Sequence, residues 1–187
     1  MELAADWDAK FARRSPPTNP IQAVVDRVTS VEPGRAVDLG CGGGRHARWL
    51  AEAGWTVGAV DWSGVGVTHG QQHAPTNITW TVGDVAHWQP TGTVDLVLMS
   101  YLHLRIDEMT ALLARVPRWL SDRGLLLYLG HAPQGALGGP PPEMRSSLAE
   151  LAHAVAGLRV LELAHVLNSN DAGAIDIVLH AQNWPRR

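Results

Sequence analysis

Three features of the sequence predict an α/β protein built on a doubly wound parallel sheet. Apolar runs alternate along the chain with helix-patterned segments, the signature of strands covered by helices on both faces. A cluster of glycines, Gly40 and Gly42 to Gly44, follows the first run directly. With 187 residues and 45% hydrophobic content the chain can bury one substantial core, so a single domain over 1–187 is expected, with about residues 1–19 as an arm and 20–187 as the core.

Seven strands are expected, at about 35–39, 55–60, 78–82, 93–99, 125–130, 158–165 and 175–181. Between them, Asn19 before Pro20 predicts a helix capped at Asn19 and running to about Ser30. A second helix opens at the glycine turn, carries Ala47, Leu50 and Ala51 on one face, and ends at Gly54. In "SGVGVTHGQQHA" glycines and β-branched residues replace strong helix formers, which predicts a weak or short helix. A further helix from Asp107 is expected to kink or end near Pro117, and Ser147 with Glu150 has the spacing of a capping box. The segment "GHAPQGALGGPPPEM" is the one Gly/Pro-rich loop.

The formal charge of −3 and the pI near 6.3 argue against a nucleic-acid surface, which needs a basic face. The basic pairs Arg13-Arg14 and Arg186-Arg187 read as solvated ends. Cys41 is the sole cysteine, which excludes an intramolecular disulfide and suits a reducing compartment. No stretch has the length of a signal peptide core or a membrane span. A soluble, cytoplasmic protein with no membrane partner is expected, and nothing in the sequence sets an oligomeric state.

The glycine turn carries the chemistry. Strand, glycine turn and helix form a site for dinucleotides or for nucleosides such as S-adenosylmethionine. A dinucleotide fingerprint requires G-x-G-x-x-G, and here Arg45 stands where the third glycine belongs. Asp38, two residues ahead of Gly40, would face a pyrophosphate with like charge, a repulsion of roughly 4 kcal/mol at 4 Å and an effective dielectric near 20. S-adenosylmethionine reverses the sign, because it offers an ammonium and a sulfonium and no phosphate. Asp61 ends the second strand, where a carboxylate can accept ribose hydroxyls. Asp84 follows the third strand, where it can accept from an adenine amino group while the Val85 amide donates to the ring.

These three acids on successive strand ends, with "VDLGCGGGRHARWLAEAGWTVGAVDWS" and "VDLVLMSYLHL", resemble the class I S-adenosylmethionine-dependent methyltransferases, in particular the tellurite-resistance-type small-molecule branch. The resemblance implies a Rossmann-like sheet of order 3-2-1-4-5-7-6 with strand 7 antiparallel. It places Asp38, Gly40, Cys41 and Gly42 around the methionine portion, Asp61 at the ribose, Trp62 beside the adenine, Asp84 and Val85 at its edge, and Ser100 at the methionine amino group through its backbone. "DWDAKFA" with "TNPI" looks like that branch's N-terminal arm, which folds over the cofactor.

Methyl transfer from a sulfonium needs chiefly alignment and exclusion of water, with a base only where the acceptor arrives protonated. His103 and His131, following the fourth and fifth strands, are the candidate catalytic residues for a small-molecule acceptor, and Tyr101 beside them reads as packing. Cys41 reads as the small residue the turn requires, and Arg45 or His46 as solvent-exposed or near a cofactor carboxylate. Trp7 and Trp88 are candidates for a pocket wall. His69 and His73 fall at i, i+4 and would share a helical face, yet "HGQQH" lacks a glutamate and a third ligand, so no metal is expected. S-adenosylmethionine is the expected cofactor and S-adenosylhomocysteine the product. The rival readings are a non-catalytic S-adenosylmethionine-binding protein and an NAD(P)-dependent oxidoreductase.

Overall fold

The computed structural model describes residues 4–133, 140–168 and 173–185. The middle of the Gly/Pro loop and the Arg186-Arg187 pair lie outside the described residues. Seven strands form a sheet in the order β3-β2-β1-β4-β5-β7-β6, the order expected above. The chain divides into two compact units, Met1–Trp88 and Gln89–Arg187.

The first unit holds the helices α1 (Ala4–Arg13), α2 (Gln22–Val28), α3 (Arg45–Glu52) and α4 (Gly64–Gln71), and the strands β1 (Arg35–Leu39), β2 (Thr56–Asp61) and β3 (Ile78–Val82). All three strands run parallel, with Asp38 opposite Ala59 and Asp61 opposite Val82. Their carboxyl ends therefore emerge side by side, which is where ligands sit on open parallel sheets. Val24, Val28, Ala47, Leu50 and Trp55 are buried, as are the strand residues Val37, Leu39, Val57 and Ala59, and α3 packs on β1 and β2. The expected cap at Asn19 is corrected: α2 begins at Gln22 behind an extended Ile21 with ψ 132°. The Ile21 amide donates to His46 Nε2 at 3.2 Å, so a tether 25 residues away sets the start of this helix rather than its local signals.

The second unit holds β4 (Val94–Ser100), α5 (Ile106–Trp119), β5 (Leu120–His131), a 3-10 turn at Pro142–Met144, α6 (Leu148–Ala154), β6 (Arg159–Leu167) and β7 (Ile175–Gln182). β4 and β5 are parallel, whereas β7 runs antiparallel to β5 and to β6. Ser147 Oγ accepts from the Glu150 amide and Glu150 accepts from the Ser147 amide, the capping box its spacing predicts. Pro117 lies within α5, which ends two residues later. β5 begins at Leu120, five residues ahead of the expected start. The polar segment 121–124 is carried into it by the Asn183 amide group, which donates to the Leu120 and Ser121 carbonyls.

Among the described residues no helix is long and apolar enough to cross a membrane.

Candidate functional sites

In the first unit the glycine turn folds as the strand-to-helix connection its sequence predicts. Gly40, Gly42 and Gly44 all have positive φ, at 74°, 52° and 76°. At Gly42 a side chain is disfavoured by that backbone conformation and crowded by Phe11 of α1, whose ring would stand 3.0 Å from an added Cβ. At Gly44 an added Cβ would run into the Trp80 ring. The turn is thus moulded as much by the arm and by β3 as by any ligand.

Asp38 is 1% exposed. The Ala47 amide donates to its carboxylate, yet Oδ2 has no hydrogen-bond partner. Burial is the main reason that its carboxyl is pushed up to about 7; the nearby Asp61 charge adds to the rise, while Arg45 and the Ala47 amide oppose it. A buried acceptor with an unused oxygen is costly in the fold's own terms, and a cation is the partner that would satisfy it.

Asp61 is 7% exposed. Its Oδ2 accepts from the Gly42 amide and its Oδ1 from the Ser63 amide, both at 2.8 Å, so the second acid also staples the glycine turn to the start of α4. Burial raises its pKa above the ordinary value against the pull of these amides. A carboxylate offers about four lone-pair sites, which leaves capacity for a hydroxyl donor. Trp62 follows it, half-buried. Asp84 lies after β3 in a turn of its own: Oδ1 accepts from the Ala86 amide at 2.9 Å and Oδ2 pairs with the exposed His87 at 2.6 Å. The next residue, Val85, is buried. Cys41 is buried too, and its thiol is pushed well above the ordinary range by burial and by the Asp38 and Asp61 charges, the opposite of a nucleophile's environment.

α1 seals this corner. Asp8 accepts from Ser63 Oγ at 2.5 Å and from the Val65 amide at 3.1 Å, while Ser63 Oγ accepts from Gly66. The arm therefore helps cap α4. Trp7 packs on Phe11 at 5.8 Å between ring centroids. His46 departs from expectation: it is 3% exposed, accepts the Ile21 amide, and is held neutral because burial drives its pKa down to about 3. His69 lies in the last turn of α4, and His73 lies beyond the helix with φ 56°, so the two do not share a helical face. Among the described residues no cluster of His, Cys, Asp and Glu is arranged to hold a metal.

In the second unit Ser100 ends β4, 7% exposed, with no partner for its Oγ. Tyr101 follows with φ 53°. Its amide donates to the Leu129 carbonyl at 2.7 Å and its hydroxyl donates to Asp176 Oδ2 at 2.5 Å. His131, at the end of β5, lies opposite Asp176 of β7 in register, with Nδ1 at 3.0 Å from Oδ1. The Tyr101 and His131 rings lie 4.7 Å apart, and those of His103 and His131 6.0 Å apart. Tyr101, His103 and His131 are thus brought together. Tyr101 proves to be a hydrogen-bonding residue rather than packing alone. The residue that sequence reasoning missed is Asp176: it is the one charge within the apolar run "AIDIVLH", and a carboxylate there, 2% exposed, was the available signal.

Residues 36–124 match a family model described as a methyltransferase domain. The trans-aconitate 2-methyltransferase of Delftia acidovorans is 29% identical over 130 residues, 65% of this chain and 47% of that protein; an Acidovorax protein of the same name gives 29% over 126 residues, 65% and 48%. The chain thus spans about half the length of the curated relatives it matches. The N-methyltransferase NodS from Bradyrhizobium japonicum, solved in complex with S-adenosyl-L-homocysteine, has the same fold with a TM-score of 0.78 at 13% identity, over 97% of this chain and 99% of that one. TehB from Haemophilus influenzae gives 0.74 at 16% identity, over 95% and 67%.

Proposed function

We propose that this chain, whose residues 36–124 match a methyltransferase domain and whose fold is that of NodS, is a class I S-adenosylmethionine-dependent methyltransferase that transfers a methyl group to a small-molecule acceptor. The observation that carries the reading is the buried Asp38 carboxylate with one unused oxygen beside the glycine turn. A phosphate ligand would make that oxygen worse off, and a cationic nucleoside satisfies it. This also weighs against the NAD(P) alternative.

When bound, S-adenosylmethionine supplies a methyl group already activated on a positively charged sulfur and leaves as S-adenosylhomocysteine. Asp38 answers the charge of the methionine portion, and Gly40, Cys41 and Gly42 present backbone to it. Asp61 takes the ribose hydroxyls with its remaining lone pairs, Trp62 flanks the adenine, and Asp84 with Val85 serves its edge. Ser100 contributes backbone to the methionine amino group, and His103 and His131 serve the acceptor. The arm and the core work as one domain in this reading. The single cysteine suits a reducing, cytoplasmic compartment.

Calorimetry tests the donor: S-adenosylmethionine should bind and NAD(P) should not. Release of S-adenosylhomocysteine across an acceptor panel then separates an enzyme from a binding protein. Binding of NAD(P) in place of S-adenosylmethionine would overturn the reading.

A further inference from the structure

We infer that Asp176 is a positioning residue that makes His131 a proton acceptor, and that the acceptors served are those arriving with a proton on the attacking atom: hydroxyl, thiol or protonated nitrogen groups. The inference rests on the methyltransferase reading above and narrows its substrate class.

Hydrogen-bond bookkeeping carries it. An aspartate carboxylate only accepts. Tyr101 Oη donates to Oδ2 at 2.5 Å, and Asn168 Nδ2 donates in turn to Tyr101 Oη at 3.2 Å. With its lone pair engaged by Asn168, the phenol hydrogen is committed to Asp176. Oδ1 then takes the hydrogen of His131 Nδ1 at 3.0 Å. A neutral imidazole carries one hydrogen, so Nε2 is left with its lone pair. The ring is 21% exposed while Asp176 is 2% exposed, so the carboxylate is hidden and the base is reachable.

The geometry is also held at a cost. Tyr101 sits at φ 53°, a conformation worth about 1–3 kcal/mol of strain for a bulky residue, which persists only where surroundings over-determine it. Here the Leu129 carbonyl fixes its amide, and Asp176 with Asn168 fixes its hydroxyl.

A base in this state has one use in methyl transfer. The acceptor's lone pair forms the bond to the methyl carbon, the carbon–sulfur pair passes to sulfur, and the proton leaving the acceptor goes to His131 Nε2 and then to water. A carboxylate acceptor, such as the trans-aconitate in the name of the curated relatives, is already deprotonated at neutral pH and would leave the base idle.

Nitrogen-15 NMR of histidine-labelled, unliganded protein reads the tautomer directly. The neutral His131 ring should carry its hydrogen on Nδ1. In Asp176→Asn the Tyr101 hydroxyl holds the amide oxygen, the amide NH₂ turns to the imidazole, and the hydrogen should move to Nε2. In Tyr101→Phe the carboxylate remains and Nδ1–H should persist. Turnover of catechol, histamine or 2-mercaptoethanol should fall about 10²–10⁴-fold in Asp176→Asn, with S-adenosylmethionine affinity unchanged. An Nε2–H tautomer in the wild type, an unchanged tautomer in Asp176→Asn, or turnover confined to trans-aconitate would overturn the proposal. The wild-type tautomer needs no variant, so the proposal stays refutable if Asp176→Asn does not fold. Absence of S-adenosylmethionine binding would instead remove the methyltransferase reading, with the tautomer measurement unaffected.

Discussion

Asp38, which the proposed function places at the donor, shows what burying an acid costs the fold. Its carboxyl is raised from 3.8 to about 7, so between these values the folded chain holds a proton that the unfolded chain has released. Protonation favours the folded state there, and stability falls as pH rises through the window, by on the order of 4 kcal/mol for this one group. His46, lowered from 6.5 to about 3, acts in the opposite sense: its contribution to stability is present above 6.5 and is lost as pH falls toward 3. The two overlap, so a variant isolates Asp38 better than the wild-type profile does. Asp38→Asn removes the charge penalty, and its melting temperature relative to wild type should climb by about 5–11 °C as pH rises from 5 to 8, since the penalty grows by about 2.7 kcal/mol between pH 5 and the carboxyl's raised pKa of about 7 and each kcal/mol is worth about 2–4 °C in a chain of this size. The same change should weaken S-adenosylmethionine binding about 10–100-fold, the usual loss of a charge-assisted hydrogen bond. Thermal melts at several pH values with calorimetry check both. A stabler protein that binds worse is the pattern of a residue kept for function.

Element by element, α4 is the weak helix that its glycines predict, eight residues long and capped from outside by Asp8 and Ser63. Its glycines are not equivalent. Nothing lies within 4 Å of a Cβ added at Gly64, whereas one at Gly70 meets the Trp80 ring. Gly64→Ala should therefore stabilise by about 0.4–1 kcal/mol through the unfolded chain, and Gly70→Ala should destabilise by about 1–3 kcal/mol through overpacking; chemical denaturation measures both. Most strands were legible because a buried parallel strand must be an apolar run. The starts of α2 and β5 were not, since His46 and Asn183 decide them from far along the chain, and no local pattern records such a tether.

For the whole molecule, ligand linkage gives the simplest expectation. S-adenosylmethionine at about 100 times its dissociation constant should add about 2.7 kcal/mol of stability, or roughly 5–10 °C in melting temperature for a chain of this size, while NAD(P) should leave it unchanged. Thermal-shift measurement with both ligands checks this. The sequence by itself determined the sheet order, through a family resemblance carried by Asp38, Asp61 and Asp84 at successive strand ends, because these motifs are local: each acid lies within a few residues of the turn it serves. The tertiary structure alone decided that Asp38 keeps an unused oxygen, that Asp61 and Phe11 hold the glycine turn, and that His131 has Asp176 behind it. Asp176 lies 45 residues from His131 and 75 from Tyr101. Only antiparallel pairing of β7 with β5 sets that carboxylate against that imidazole, and an apolar strand carries no periodic signal of which residue its one charge will meet.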